Sequence, residues 1–224
     1  MFERLIRIVG EKCFHKIQNA HIALVGVGGV GGYVLECLVR SGISHITIYD
    51  FDIIEETNLN RQIIATTKNI GKSKAMEALE RVKMINPSCE VLVEDIRVIA
   101  GNFDFQRYDY VIDACDDVVA KIAMIQHCFS LDIPFISCMG TGNRMHPEML
   151  QIMPLAKTQM DPLARKIRNL LRKENPDYLS TLVLCSNEKP VQTEKLGTFC
   201  AVPMAAGALL ASYVIQSIIK SETV

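Results

Sequence analysis

At 224 residues, with 49% hydrophobic and 22% charged residues, the chain is long enough for one substantial core and is not of disordered composition. Its formal net charge of −1 argues against a protein that coats nucleic acid by bulk electrostatics, so an RNA partner would have to meet a local basic patch. Eight cysteines stand singly with no CxxC pair. That spacing predicts no zinc site and suits small buried hydrophobes in a reducing cytoplasm.

Met1-Phe2-Glu3-Arg4 lacks the pattern of a secretory signal, in keeping with a cytoplasmic location. The apolar run His21-Ile22-Ala23-Leu24-Val25 then reads as a strand leading into Gly26-Val27-Gly28-Gly29-Val30-Gly31. A helix is expected over 30–41, stopped at Gly42, and a second strand over 45–50 ends on Asp50. Strand, glycine turn, helix, strand and a closing acid about 20 residues on make the arrangement that holds a nucleotide. The first glycine allows the sharp turn, the second lets backbone N–H groups approach phosphate, and the third lets helix and strand pack closely. The helix start adds a positive dipole end, and Asp50 can accept from ribose hydroxyls.

Further elements alternate. A helix over 72–85 ends at Asn86-Pro87, strands are expected over 89–94, 109–114 and 133–138, and a helix spans 117–131 behind Asp116 and Asp117. This is α/β patterning: a Rossmann-like, mostly parallel sheet flanked by helices. The chain reads as one domain over 1–224 with its core at about 18–140. The alternation loosens over 139–198, read as an inserted subdomain holding the loop Gly140-Thr141-Gly142-Asn143, a strand at Leu150–Leu155 and a helix at Asp161–Lys173. Residues 174–198, rich in Asn, Glu, Lys and Pro, read as a surface excursion. The apolar segment 199–219 is nearly long enough to span a bilayer. Its interruptions at Ser212, Tyr213, Gln216 and Ser217 favour a buried C-terminal helix over about 203–219, with no stable membrane insertion; membrane association through 199–219 is the alternative.

The first βαβ unit alone would equally suit an NAD-dependent dehydrogenase. Arg61, Lys74 and Asp116 separate the two readings. Splitting a triphosphate needs cations on the phosphates and a carboxylate for Mg²⁺, whereas hydride transfer needs a dry pocket with one acid–base group. Each of the three also has a bland reading, as a solvated charge or a helix cap.

With these residues in view, the chain resembles the E1-like ATP-dependent activating enzymes. Their GVGGVG, YDFD, NLNRQ, GKSK and DACDD motifs recur here in order at 26–31, 49–52, 58–62, 71–74 and 113–117. The resemblance implies ATP held by Gly26, Gly28, Gly29 and Gly31, with Asp50 on the ribose. Asp52 and Asp117 are counted with that site. Asn58, Asn60, Arg61 and Lys74 would face the phosphates, and Asp116 would hold Mg²⁺. An arginine near the N-terminus reaches ATP in that superfamily, often from a partner subunit; Arg4 is the first candidate and Arg7 the second. The implied chemistry is conversion of a carboxylate to a mixed anhydride, in a homodimer.

Leu155-Ala156-Lys157-Thr158, Asp161-Pro162-Leu163-Ala164-Arg165, the Gly140–Asn143 loop and residues 4–10 resemble the dehydratase branch, whose members act on threonylcarbamoyladenosine in tRNA. That implies ring closure by the substrate's own carbamoyl group, with loss of water and tRNA as partner. Arg165, Arg168, Arg172 and Lys173 on the helix 161–173 would supply the basic face, which otherwise reads as a solvated one. The alternative is adenylation of the C-terminus of a ubiquitin-like sulfur-carrier protein, with a sulfur-relay partner. Cys185 then either carries a thioester or persulfide or packs at the end of an apolar run. A non-catalytic scaffold of the same fold is the third reading.

Overall fold

The computed structural model describes residues 1–221; the last three residues of the expected 1–224 domain lie outside the described residues. Two helices, α1 (Glu3–Val9) and α2 (Glu11–Asn19), open the chain and break at Gly10 (φ 79°). Then follow β1 (His21–Val25), α3 (Gly31–Arg40), β2 (His45–Tyr49), α4 (Lys74–Ile85), β3 (Glu90–Glu94), β4 (Tyr110–Asp113), α5 (Val118–Ser130) and β5 (Phe135–Cys138). The chain ends with β6 (Leu150–Pro154), α6 (Pro162–Glu174), β7 (Leu182–Ser186) and α7 (Ala201–Lys220). The sequence periodicity places every element from β1 to α6 within a few residues; it gives no sign of α1 and α2.

The strands form one sheet in the order β3-β2-β1-β4-β5-β7-β6, parallel throughout except for the β6–β7 pair. Side chains alternate across a strand, and β1 shows what each face buries. Ile22 and Leu24 join a cluster with α2, α3, α4 and α7, while Ala23 and Val25 join Tyr49, Phe105, Val111 and α5 on the opposite face. A third cluster packs Ile167 and Leu171 of α6 against Val183 and Cys185 of β7. Connections run outward in opposite directions from β1 and β4, so the sheet's switch point lies between them, where open α/β sheets bind ligands.

The stretch 174–198 is corrected in part. Residues 182–186 are not surface but an interior strand between β5 and β6, with Val183–Ser186 buried. The apolar run is four residues long and flanked by polar ones, so its burial comes from neighbours remote in sequence. Residues 139–198 therefore extend the sheet and also carry their own hydrophobic cluster.

Among the described residues α7 is the one helix long and apolar enough to cross a membrane by length and composition. It lays Val202, Ala206, Leu210, Val214 and Ile218 into the main core, against α3 and α2, which bears out the expected C-terminal core helix. Met204 and Leu209 remain 44% and 40% exposed on its other side. Gly207 permits the α3 contact: a Cβ there would lie 2.6 Å from Tyr33 Cβ and 2.7 Å from the Val30 carbonyl oxygen. Ala is the better helix former by about 1 kcal/mol, yet overpacking against backbone costs about 1–3 kcal/mol. Gly207→Ala is therefore expected to destabilise the protein by up to about 2 kcal/mol, lowering the thermal midpoint by up to several degrees in a calorimetric scan.

Candidate active site

A cleft of about 1100 Å³ opens over the carboxyl ends of β1, β2, β4 and β5. Its floor is the glycine turn. A Cβ on Gly31 would stand 1.8 Å from the Gly26 carbonyl oxygen, and one on Gly26 (φ 87°) would stand 2.9 Å from the Cys115 nitrogen. Only glycine lets the β1–α3 turn fold onto itself and lie against the β4–α5 turn. The two turns thus form adjacent walls, and the α3 N-terminus opens between them.

Asp50 follows β2 and is 7% exposed. Its carboxylate accepts the Val27 N–H at 2.7 Å and the Asp52 N–H at 2.9 Å. A carboxylate has about four lone-pair sites, so two remain for donors arriving in the cleft. Burial raises its pKa against the opposing pull of those N–H bonds and Lys74. Lys74, the first residue of α4, is 7% exposed, and its ammonium donates to Asp52 at 2.8 Å. Ser73 caps that helix and sets the direction in which Lys74 leaves it.

Arg61 lines the cleft with its stem over Gly29 and donates through Nη1 to the Thr57 carbonyl at 2.8 Å and Asn60 Oδ1 at 3.0 Å. Asn58 is buried as the closing residue of a one-turn helix, accepting the Glu55 N–H, so its side chain builds the loop that carries Arg61. Asn60 lies outside the cleft lining and donates to the Thr198 carbonyl at 3.3 Å. Asp116 is exposed to the cleft. Asp117, next to it, also lines the cleft, but its carboxylate caps α5 and pairs with Arg97. Burial pushes the Asp117 carboxyl up, but Arg97 and the capped N–H groups outweigh it and hold the group below its ordinary value.

The structure thus brings Gly26, Gly28, Gly29, Asp50, Asp52, Asn58, Arg61, Lys74, Asp116 and Asp117 to one cleft, with Gly31 under its turn. It does not bring Arg4 there, which sits exposed on α1, or Arg7, which pairs with Glu3. On α6, Arg165, Arg172 and Lys173 point outward, whereas Arg168 turns back to donate to the Thr158 carbonyl and hydroxyl. Sequence reasoning misses the far wall. Arg144 and Asp161, 2% and 1% exposed, approach to 3.9 Å beside Gly140, and Gln62 is buried near Gly28. Asp161 also caps α6, so the basic helix starts from the cleft wall. Gln62 and Asp161 lie in the motifs at 58–62 and 161–165, where nothing marks either as a wall residue, and no motif or periodicity marks Arg144.

The group that could hold Mg²⁺ is Asp116. No cluster of three or more His, Cys, Asp or Glu side chains suited to a metal occurs among the described residues. A single accessible carboxylate fits Mg²⁺ all the same, because that ion commonly takes one or two carboxylates and fills its octahedron with substrate phosphates and water. Neither Cys115 in the cleft nor Cys185 on β7 is prepared as a nucleophile: burial raises the Cys115 thiol strongly and pushes Cys185 up to about 11.

The model of the ThiF family matches residues 2–224. The tRNA threonylcarbamoyladenosine dehydratase of Escherichia coli (strain K12) is 40% identical over 209 residues, covering 89% of this chain and 78% of that protein. Its namesake in Bacillus subtilis (strain 168) is 37% identical over 193 residues, covering 85% and 76%. The crystal structure of E. coli tRNA N6-threonylcarbamoyladenosine dehydratase in complex with ATP superposes with a TM-score of 0.92 at 37% identity, covering 97% of this chain and 93% of that one.

Thiol burial gives a direct check. At pH 8, iodoacetamide is expected to label Cys185 about 100-fold more slowly than a free thiol, from the thiolate fraction alone. Denaturation should equalise the cysteines, as read by peptide mass spectrometry; fast native labelling of Cys185 would contradict its place on β7.

Proposed function

The chain belongs to the ThiF family, and on that premise we propose that it is an ATP-dependent tRNA threonylcarbamoyladenosine dehydratase. One observation carries the reading. A glycine turn, a ribose-type acid, two cations and an accessible carboxylate meet in one cleft, in a chain similar over nearly its whole length to a dehydratase solved with ATP.

A carboxylate is a poor acylating agent because it would have to expel oxide. In the proposed reaction a carboxylate oxygen of the threonylcarbamoyl group attacks a phosphorus of ATP, and the bond from that phosphorus to its leaving phosphate breaks. A heteroatom of the neighbouring carbamoyl group then attacks the acyl carbon, the carbon–oxygen bond to the phosphoryl group breaks, and a proton is released. The oxygen lost from the substrate leaves on phosphorus, so the net change in the nucleoside is one water. Because the nucleophile is intramolecular, no enzyme thiol is required.

The chain's task is alignment and charge neutralisation. The Gly26–Gly31 turn and the α3 N-terminus receive the phosphates, and Asp50 takes the ribose hydroxyls with its two remaining lone-pair sites. Lys74 is buried and aimed by Asp52, which limits its freedom; Arg61 presents Nη2 and Nε beyond the bonds that anchor its Nη1. Asp116 would hold Mg²⁺, whose bound charge adds to the neutralisation of the phosphates. Asn58 supports Arg61 from beneath, and Asn60 and Asp117 support the walls.

The tRNA would lie along Arg165, Arg172 and Lys173, with α6 leading from Asp161 at the cleft. The functional assembly would be a homodimer: α1 buries none of its residues, exposes Ile8 at 82%, and carries Arg4 free to enter a partner's cleft. Eight free thiols and a tRNA substrate suit the cytoplasm. The sulfur-carrier reading is weaker, because Cys185 lies within the sheet and away from attack.

Incubation with ATP, Mg²⁺ and tRNA bearing threonylcarbamoyladenosine is expected to lighten that nucleoside by one water on mass analysis. An unchanged nucleoside, with pyrophosphate exchange driven by a sulfur-carrier protein instead, would overturn the reading. Asp116→Asn should fold normally, since the residue is exposed, and lower kcat about 100-fold or more. Replacing Arg165, Arg172 and Lys173 together with Ala should weaken tRNA binding about tenfold or more and flatten its salt dependence, with ATP affinity intact. Equal tRNA affinity in a filter-binding titration would remove α6 from the interface.

A further inference from the structure

Lys121 is a charged residue with no place in the chemistry above. It sits on the apolar helix α5 with its side chain fully buried. Its ammonium donates to three acceptors: Asp113 Oδ2 at 2.8 Å, the Cys138 carbonyl at 2.7 Å and Ser137 Oγ at 3.2 Å. Asp113, also fully buried, accepts the Ser137 hydroxyl at 2.6 Å on Oδ2 and the Cys115 N–H at 3.1 Å on Oδ1. Every proton of the ammonium and both carboxylate oxygens are thereby used.

Such a pair is not explained by stability, because well-packed apolar residues of similar volume in place of a buried ion pair are often neutral or stabilising. Its connections say more. Asp113 is the last residue of β4, and its Oδ1 fixes the turn that carries Asp116. Cys138 is the last residue of β5, directly ahead of the Gly140–Asn143 wall. The pinned turn is also the one in backbone contact with Gly26, where a Cβ would meet Ala114 and Cys115 at 2.9–3.0 Å. One ammonium therefore ties α5 to both strand ends and presses the acid-bearing turn onto the glycine turn.

The geometry points to Lys121 as a positioning residue that, through Asp113 and the Cys138 carbonyl, sets where Asp116 stands relative to bound ATP. This deepens the dehydratase reading and rests on it for the kinetic test, but two of the three measurements below do not. Lys121→Met leaves Asp113 without its partner. The double variant Lys121→Met/Asp113→Leu removes both charges together and is the form expected to fold when the single one does not. Lys121→Arg keeps the charge.

In the unliganded double variant, amides 114–117 should exchange with solvent about tenfold or more faster than in the parent protein. The tightening of ATP binding by Mg²⁺, measured by calorimetry with and without the metal, should be lost, while affinity without Mg²⁺ stays within about threefold. On modified tRNA, kcat should fall about 10- to 100-fold with KM for tRNA unchanged, and Lys121→Arg should recover much of it. A folded double variant with parental amide exchange and a parental Mg²⁺ response would overturn the assignment. If the parent protein removes no water from the nucleoside, the dehydratase reading fails, and amide exchange and Mg²⁺-linked ATP binding still decide the role of Lys121.

Discussion

The site depends on how closely two backbone turns can approach. With 1.8 Å between a hypothetical Gly31 Cβ and the Gly26 carbonyl, and 2.9 Å between a Gly26 Cβ and the Cys115 nitrogen, there is no room for a side chain at either position. That steric allowance puts the α3 N-terminus, the end of β1 and the β4–α5 turn side by side. Because β2 and β4 flank β1 in register, Tyr49 and Asp113 both stand opposite Val25. The residues that follow them, Asp50 and the Ala114–Asp117 turn, therefore border the glycine turn from its two sides.

Around that contact the polar groups are held mostly by the protein itself. Asp50 is fixed by two N–H groups, Lys74 by Asp52, Asp117 by Arg97 and the α5 N-terminus, and Asp113 by Lys121 and Ser137. Groups locked in this way meet a polyphosphate without reorganising, which is what electrostatic preorganisation requires. Asp116, exposed among these anchored neighbours, keeps its carboxylate open to the cleft.

The second half of the chain extends the same sheet and changes what the cleft can accept. Strands β7 and β6 widen the sheet, Arg144 and Asp161 build a polar wall beside Gly140, and Asp161 starts the basic helix α6. The basic helix therefore begins at the cleft wall that its own capping residue helps to form. Its counterpart is α7, whose small residues let it lie on α3 and close the opposite side of the sheet.

Periodicity and turn chemistry are local, and what they govern was legible in the sequence: β1 to β5, α3 to α6, the acids Asp116 and Asp117 at the start of α5, and the glycine turn with Asp50. The motif residues Arg61, Lys74 and Asp116 could be named as a set because a triphosphate needs that combination of charges. Tertiary structure decided the rest. It placed β7 inside the sheet although its apolar run is four residues long, turned Asn58, Arg168 and Asp117 toward structural partners, and buried Lys121 against Asp113. Each of these outcomes depends on a neighbour many residues away or across a turn. A pattern read along one chain records which residues alternate and which break a helix, but not which distant carbonyl or carboxylate will meet a given side chain.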